Sequence, residues 1–342
     1  MASQTPTHPA CPVNRFRTGL VVGKFAPLHL GHEQVIRAAL AVCDRVVLLS
    51  YSRPEFPGCN PARRAAWLAG RFPETTRIVL DHATEPLPYN SDSDLTHRAF
   101  CAAILHRKLD RPIDAIFTSE DYGPGFAADL ARRQGLPVTH VSIDLARNVI
   151  PVSGTALRTH IHGLRRFLAP EVYATFIKRV GILGGESTGK STLAEALARE
   201  FGTTHVAEYG RELWLERGGQ LAYDDMLAIA IEQIRREEAA LLDPATHRFL
   251  FCDTTPLTTL FYSHEMFDRA VPELEALARR HYHRLILCAD DFPFAQDGTR
   301  GDAAFRTKGQ NWYLDHLANR CYEVVQGCPQ SRIEKSREII GA

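Results

Sequence analysis

Short apolar runs alternate along the chain with longer stretches whose apolar positions recur at helical spacing. In the first half the runs are Gly19–Phe25, Arg45–Ser50, Arg77–Leu80, Asp114–Ser119 and Pro137–Ile143, and helical patterns such as Glu33–Val42, Arg63–Phe72 and Thr96–Leu109 fall between them. A second series begins at Val180–Leu183 and continues through His205–Glu208, Phe249–Asp253, Arg284–Cys288 and Tyr322–Val325, with helices over Ser191–Phe201 and Asp224–Leu242. Strands that alternate with helices in this way predict parallel βαβ units. The expected fold class is therefore α/β, with two doubly wound parallel-sheet domains at residues 18–170 and 178–342. Leu164–Lys178 reads as the helical end of the first domain and a bridge to the second. Residues 1–17, rich in Pro, Thr and Ser, read as a flexible tail. The halves share a class but no repeated motif.

Composition changes this picture little. A length of 342 residues suits two domains, and 45% hydrophobic with 23% charged residues is the profile of a globular chain. Lys plus Arg equals Asp plus Glu at 40 each, so the basic excess of a broad nucleic-acid footprint is missing. Eight cysteines with no CxxC pair suggest reduced thiols and a cytoplasmic location. No apolar stretch approaches the roughly 18 residues of a membrane span, and residues 1–17 lack the apolar core of a signal peptide.

The first strand runs into Gly23-Lys24-Phe25-Ala26-Pro27 and then Leu28-His29-Leu30-Gly31-His32. This order is strand, tight turn, HxGH, helix. The first turn of a helix offers free N–H groups and a dipole that favours an anion. His29 and His32, three residues apart, lie on one side of that turn and can donate to phosphate oxygens. Adenylyl transfer needs such donors, because charge builds on the α-phosphate and the leaving pyrophosphate. Gly31 permits close approach to the backbone. Far downstream, Pro151-Val152-Ser153-Gly154-Thr155-Ala156-Leu157-Arg158 opens another helix: Ser153 and Thr155 offer hydroxyls, and Arg158, a turn later, can grip the same phosphates.

In the second half, Gly184-Gly185-Glu186-Ser187-Thr188-Gly189-Lys190-Ser191-Thr192 contains a full GxxxxGK(S/T) loop between a strand and a helix. Its amides cradle ATP phosphates, Lys190 reaches the β and γ phosphates, and Ser191 can bind Mg²⁺. Phe249–Asp253 is an apolar strand ending in Asp253, suited to Mg²⁺. Glu208, at the end of the strand after the loop, is a candidate general base for a ribose hydroxyl, with Tyr209 and Arg211 as candidate substrate residues. Asp297-Gly298-Thr299-Arg300 reads as a lid whose Arg300 closes over phosphates.

The pairing of HxGH with Val152-Ser153-Gly154-Thr155-Ala156-Leu157-Arg158 resembles the nucleotidyltransferase superfamily. Thr118-Ser119-Glu120-Asp121-Tyr122-Gly123 and Arg64-Ala65-Ala66-Trp67 are similar to segments of its nicotinamide-mononucleotide adenylyltransferase branch. That resemblance implies that Ser119 and Glu120 line an adenosine site and that Trp67 borders a nicotinamide pocket; Asp121 stands where that branch carries Pro. With the GGESxGKS loop, the Glu208-Tyr209-Gly210-Arg211-Glu212 run and the DGxR segment, the whole order resembles the bifunctional nicotinamide-nucleotide adenylyltransferase/ribosylnicotinamide kinase family, from about residue 19 to residue 300. The resemblance implies a Rossmann-like HxGH domain followed by a P-loop kinase. It implies phosphorylation of nicotinamide riboside to nicotinamide mononucleotide and adenylylation of that product to NAD, both with ATP and Mg²⁺. Some members carry a DNA-binding domain before the first strand. The 18 residues before Gly19 leave no room for one here, so no nucleic acid and no membrane are expected as partners. Phe294-Ala295 departs from the family's pattern before the lid. The residues leave open a homo-oligomer, feedback by NAD, use of nicotinic acid mononucleotide, another phosphorylated acceptor, and a nucleotide sensor without turnover.

Overall fold

The computed structural model describes residues 16–291 and 303–341. The chain divides after Thr175 into two compact units, each an α/β domain with a parallel sheet.

The first unit contains β1 (Phe16–Val22), α1 (Leu30–Leu40), β2 (Cys43–Ser50), α2 (Pro61–Arg71), β3 (Thr76–Val79), α3 (Asp94–Lys108), β4 (Ala115–Thr118), α4 (Gly123–Gln134), β5 (Thr139–Ser142), α5 (Gly154–Thr159) and the short α6 (Pro170–Tyr173). Its strand order is β3-β2-β1-β4-β5, parallel throughout. The order reverses between β1 and β4, the kind of switch point where open α/β sheets bind ligands. Leu20, Val47, Leu49 and Ile116 from the strands pack against Ile104, Leu105, Phe126 and Leu130 from α3 and α4. Each such aliphatic side chain contributes roughly 1.5–3 kcal/mol when buried.

The strands sit where the apolar runs predicted them, with edges shifted by a few residues. Phe16 and Arg17, expected in the tail, belong to β1; the Asp114 carboxylate accepts from the N–H groups of Arg17 and Thr18 at 2.9 Å each. The segment expected as a helical bridge is helical in short pieces, two 3₁₀ turns, Arg165–Phe167 and Ala174–Phe176, flanking α6, and Lys178 already opens the next strand. Pro170 permits a helix start but no incoming helix.

Arg64 and Trp67 both face inward from α2, whose start is capped by the Asn60 side chain ahead of Pro61. Arg64 is wholly buried; its guanidinium pairs with Glu55 and also donates to the carbonyls of Cys59 and Leu80 at 3.3 Å each. It thus ties α2 to the loop before it and to the end of β3. Truncating one member of a buried pair strands the other charge. Arg64→Ala should lower the unfolding free energy of this domain by about 3–5 kcal/mol, read by urea titration; a loss under about 1 kcal/mol would refute this role.

The second unit contains β6 (Lys178–Leu183), α7 (Lys190–Glu200), β7 (Thr204–Val206), α8 (Tyr209–Glu216), α9 (Tyr223–Leu242), β8 (Phe249–Asp253), α10 (Pro256–Phe267), α11 (Pro272–Ala278), β9 (Arg284–Cys288), α12 (Ala303–Leu317), β10 (Tyr322–Val325) and α13 (Pro329–Ile340). Its sheet order is β10-β9-β6-β8-β7, again all parallel. β6, β8 and β9 are covered on both faces, which is why they read as near-continuous apolar runs. Val180, Ile182, Phe249, Phe251 and Ile286 pack against Leu193 and Leu197 of α7 and Ile340 of α13.

Among the described residues the cysteines are free: Cys43, Cys59, Cys101, Cys252 and Cys288 are buried, and Cys321 and Cys328 are exposed. Burial pushes the Cys43 thiol up to about 11 and Cys101 to about 12. Cys328, at the start of α13, is held below the ordinary thiol range by the Ser331 hydroxyl and nearby backbone amides.

Candidate active sites

In the first unit a cavity of about 540 Å³ opens at the carboxyl ends of β1 and β4. Gly23, Lys24, Phe25, His29, Gly31 and His32 line it from the β1–α1 segment. Ser119 and Glu120 line it after β4, and Ser153, Thr155 and Arg158 from α5 and its cap. Two motifs remote in sequence therefore meet. Arg158 joins them: it donates to the Ala26 carbonyl at 2.9 Å and to the Thr155 hydroxyl at 2.9 Å, with its guanidinium 4.0 Å from the Phe56 ring centre. Ser153 caps α5, its hydroxyl accepting from the Ala156 N–H at 3.1 Å.

His29 and His32 stack with ring centres 3.7 Å apart, and Phe25, at φ 45°, meets His32 edge-on. A Cβ on residue 31 would lie 3.1 Å from the His29 ring, so Gly31 makes room first of all for that imidazole. Both Nδ1 atoms are buried without a hydrogen-bond partner. Burial, with Arg147 and Arg158 adding, lowers His29 to about 4; burial, His29 and the same arginines hold His32 well below 6.5. Two neutral imidazoles beside arginines, at a helix start, form a site ready for an anion.

Trp67 is only 4% exposed and is not among the residues lining this cavity; it is buried on α2, three residues on from Arg64. Arg147 does line it, and the motifs gave no sign of it. It lies on the loop after β5 at φ 52°, pairs with Glu120 at 3.6 Å, and owes its place to Asp144, whose carboxylate accepts from the N–H groups of Asn148, Val149 and Ile150. The Asp-x-x-Arg-Asn run, rich in turn formers, was the available signal. His97 of α3, hydrogen-bonded to the Tyr51 hydroxyl at 2.9 Å, is a second unforeseen wall of the cavity.

In the second unit the phosphate-type loop joins β6 to α7. Gly184 sits at φ 146°, and a Cβ there would lie 2.6 Å from the Thr188 hydroxyl and 2.8 Å from the Cys288 carbonyl, so glycine is required. Gly185 carries the carbonyl that accepts from the Thr188 hydroxyl at 2.8 Å and from the Lys190 ammonium at 2.9 Å. Ser187 and Gly189 take positive φ, and Gly189 starts α7; Ser191 and Thr192 are exposed on its first turn. Buried Arg332 of α13 braces the loop, donating to the carbonyls of Thr188 at 2.8 Å, Gly327 at 3.0 Å and Ala289 at 3.0 Å.

Asp253 ends β8, 4% exposed, with Oδ1 buried and lacking a hydrogen-bond partner. A buried carboxylate oxygen without a donor calls for a cation or water, so the residue fits a divalent ion. Glu208 is not at the end of β7, which stops at Val206; it precedes α8. The buried Gln233 side chain fixes it from both sides, accepting from Tyr209 N–H at 2.9 Å and donating to the Ala207 carbonyl at 3.3 Å. Burial pushes the Glu208 carboxyl up, Asp253 and Glu186 add to this, and Lys190 and Arg211 offset part of it. Glu208, Arg211 and Glu186 line a cavity of about 130 Å³ with Trp214 and Tyr262, two aromatics that the motifs did not reveal. Tyr209 is not among its lining residues; its ring lies under the Arg236 guanidinium at 4.4 Å and packs α8 on α9. Arg300 and the DGxR segment lie outside the described residues.

A domain family described as AAA domain matches residues 179–332. The chain is 28% identical over 330 residues to the trifunctional NAD biosynthesis/regulator protein NadR of Salmonella typhimurium, covering 90% of this chain and 78% of that protein. The Escherichia coli protein of the same name is 28% identical over 333 residues with the same coverage. Crystal structures of a NadR protein, one in complex with NAD and AMP-PNP and one in complex with NR, superpose with TM-scores of 0.66 and 0.67 at 20% and 19% identity. Each covers 95% of this chain and 96% of its own, so the two-domain fold is common to them. Over nine-tenths of its length, and across both of its domains, the chain is a homologue of the proteins named NadR.

Proposed function

We propose that the chain makes NAD in two ATP-dependent steps, one in each domain. The observation that carries this reading is the pairing of an HxGH site closed by Arg158 with a P-loop site whose cavity holds Glu208, in one chain homologous to NadR proteins across both. In the second domain, Glu208 accepts the proton of the 5′-hydroxyl of nicotinamide riboside. The ribose oxygen bonds to the γ-phosphorus, the bond to the bridging oxygen breaks, and ADP leaves. The raised affinity of Glu208 for a proton makes it a better base than an exposed carboxylate. Lys190 and the loop amides hold the phosphates. Ser191 and Asp253 would hold Mg²⁺, which supplies charge neutralisation for the transferred group.

In the first domain a phosphate oxygen of nicotinamide mononucleotide attacks the α-phosphorus of a second ATP, and pyrophosphate leaves. The nucleophile is already anionic, so no general base is required. The residues' work is to stabilise charge on the leaving pyrophosphate, through His29, His32, Lys24, Arg158 and the start of α1. Ser119 and Glu120 border the adenosine end. The direct test is product analysis with nicotinamide riboside, ATP and Mg²⁺: mononucleotide first and NAD after it support the reading, and neither product refutes it.

The neutral histidines give this site a pH signature. An added polyphosphate favours their charged forms, so ATP binding to this domain should be accompanied by proton uptake as the pH falls below neutral. Calorimetry in buffers of different ionisation enthalpy reads this uptake. An uptake of zero would show that the imidazoles stay neutral when the phosphates bind.

A further inference from the structure

The acceptor cavity of the second domain has a feature that phosphoryl transfer does not need. The phosphate loop itself carries a carboxylate, Glu186, although a loop built to hold polyanions gains nothing from negative charge. Glu186 forms part of the cavity wall. The Tyr262 hydroxyl, on α10, donates to its Oε1 at 3.0 Å. Burial, with Glu208 and Glu186 adding, raises the Tyr262 phenol well above 10, so it keeps its proton and remains a donor. The other walls are mixed: the apolar Trp214, Met226, Ile229 and Met266 stand with the polar Arg211 and Gln233. Beside the apolar part of that wall a charge is felt more strongly than in water. Glu208, the cavity's other carboxylate, interacts with the cationic Lys190 and Arg211.

Building on the kinase reading above, we infer that Glu186 is a specificity-determining residue, presenting a negative charge that selects a nucleoside whose base is a cation. A pyridinium nucleoside has that charge; the ordinary purine and pyrimidine nucleosides do not. Tyr262 is the positioning residue that holds the carboxylate on the wall.

The test compares two nucleosides of nearly one shape on the full-length chain: nicotinamide riboside, a cation, and its neutral 1,4-dihydro form. Dissociation constants and kcat/KM are measured for both. Glu186→Gln should lower the preference for the cation about tenfold, whatever loss is common to both nucleosides. Glu186→Asp should restore most of that preference. Tyr262→Phe, which leaves the loop sequence intact, should shift the same ratio in the same direction. The KM for ATP, read alongside, reports the loop itself. An equal loss for both nucleosides would overturn the inference and leave Glu186 as part of the phosphate loop only. If the unaltered protein phosphorylates neither nucleoside, the kinase reading falls and takes this one with it; if it phosphorylates both and the ratio does not respond to either variant, only the inference falls.

Discussion

His32→Ala is expected to lower NAD formation from nicotinamide mononucleotide by about 10²–10³-fold while riboside phosphorylation continues. The expectation rests on the position of His32, stacked on His29 at the cavity wall with a buried Nδ1 that has no partner in the protein. A buried ring nitrogen without a partner is costly, and a phosphate oxygen would supply what it lacks. Stability should change little by comparison, because the ring gives up no hydrogen bond at that nitrogen. Separate assays of the two half-reactions, with circular dichroism as a folding control, read the result. Loss of both activities in a folded variant would contradict two independent sites.

Lys190→Ala should do the reverse. Phosphorylation of the riboside should fall by about 10²–10³-fold, and adenylylation of added mononucleotide should be unaffected. The ammonium sits over the loop on the Gly185 carbonyl, and the loop's shape is secured separately by Gly184, the Thr188 hydroxyl and Arg332. Its removal thus takes away charge without dismantling the cradle. Supplied with riboside and ATP, this variant should accumulate neither mononucleotide nor NAD; supplied with mononucleotide, it should make NAD. Retention of phosphorylation within about tenfold would mean that the loop amides alone carry the phosphates.

Local chemistry was legible where the chain must do one thing at one place. Strands buried on both faces left apolar runs, so β8 and β9 begin and end where the pattern put them, and the short edge strand β10 does so as well. The glycines and lysine of the phosphate loop and the HxGH turn were readable because backbone conformation there depends on residue type. Side chains whose role depends on what folds back against them were not. Trp67 and Tyr209 carry motif positions yet do not line the cavities: Trp67 is buried on α2 and Tyr209 lies under Arg236. Arg147, Trp214 and Tyr262 reach the cavities from a turn and from helix faces that look like many others. Glu208 could be singled out from its place after the phosphate loop, but its support by Gln233, across 25 residues of chain, has no local signature.

The thiol at the head of α13 offers a practical handle. Cys328 is exposed and ionises more readily than an ordinary cysteine, whereas the buried thiols resist. With Cys11 and Cys321 exchanged for serine, a maleimide dye should attach there alone near neutral pH. One helical turn further on, Arg332 grips the Thr188 carbonyl of the phosphate loop. A fluorophore at this position would therefore sit one turn from a brace of the nucleotide cradle, turning ATP arrival and ADP departure into an optical signal that stopped-flow mixing can time, turnover by turnover.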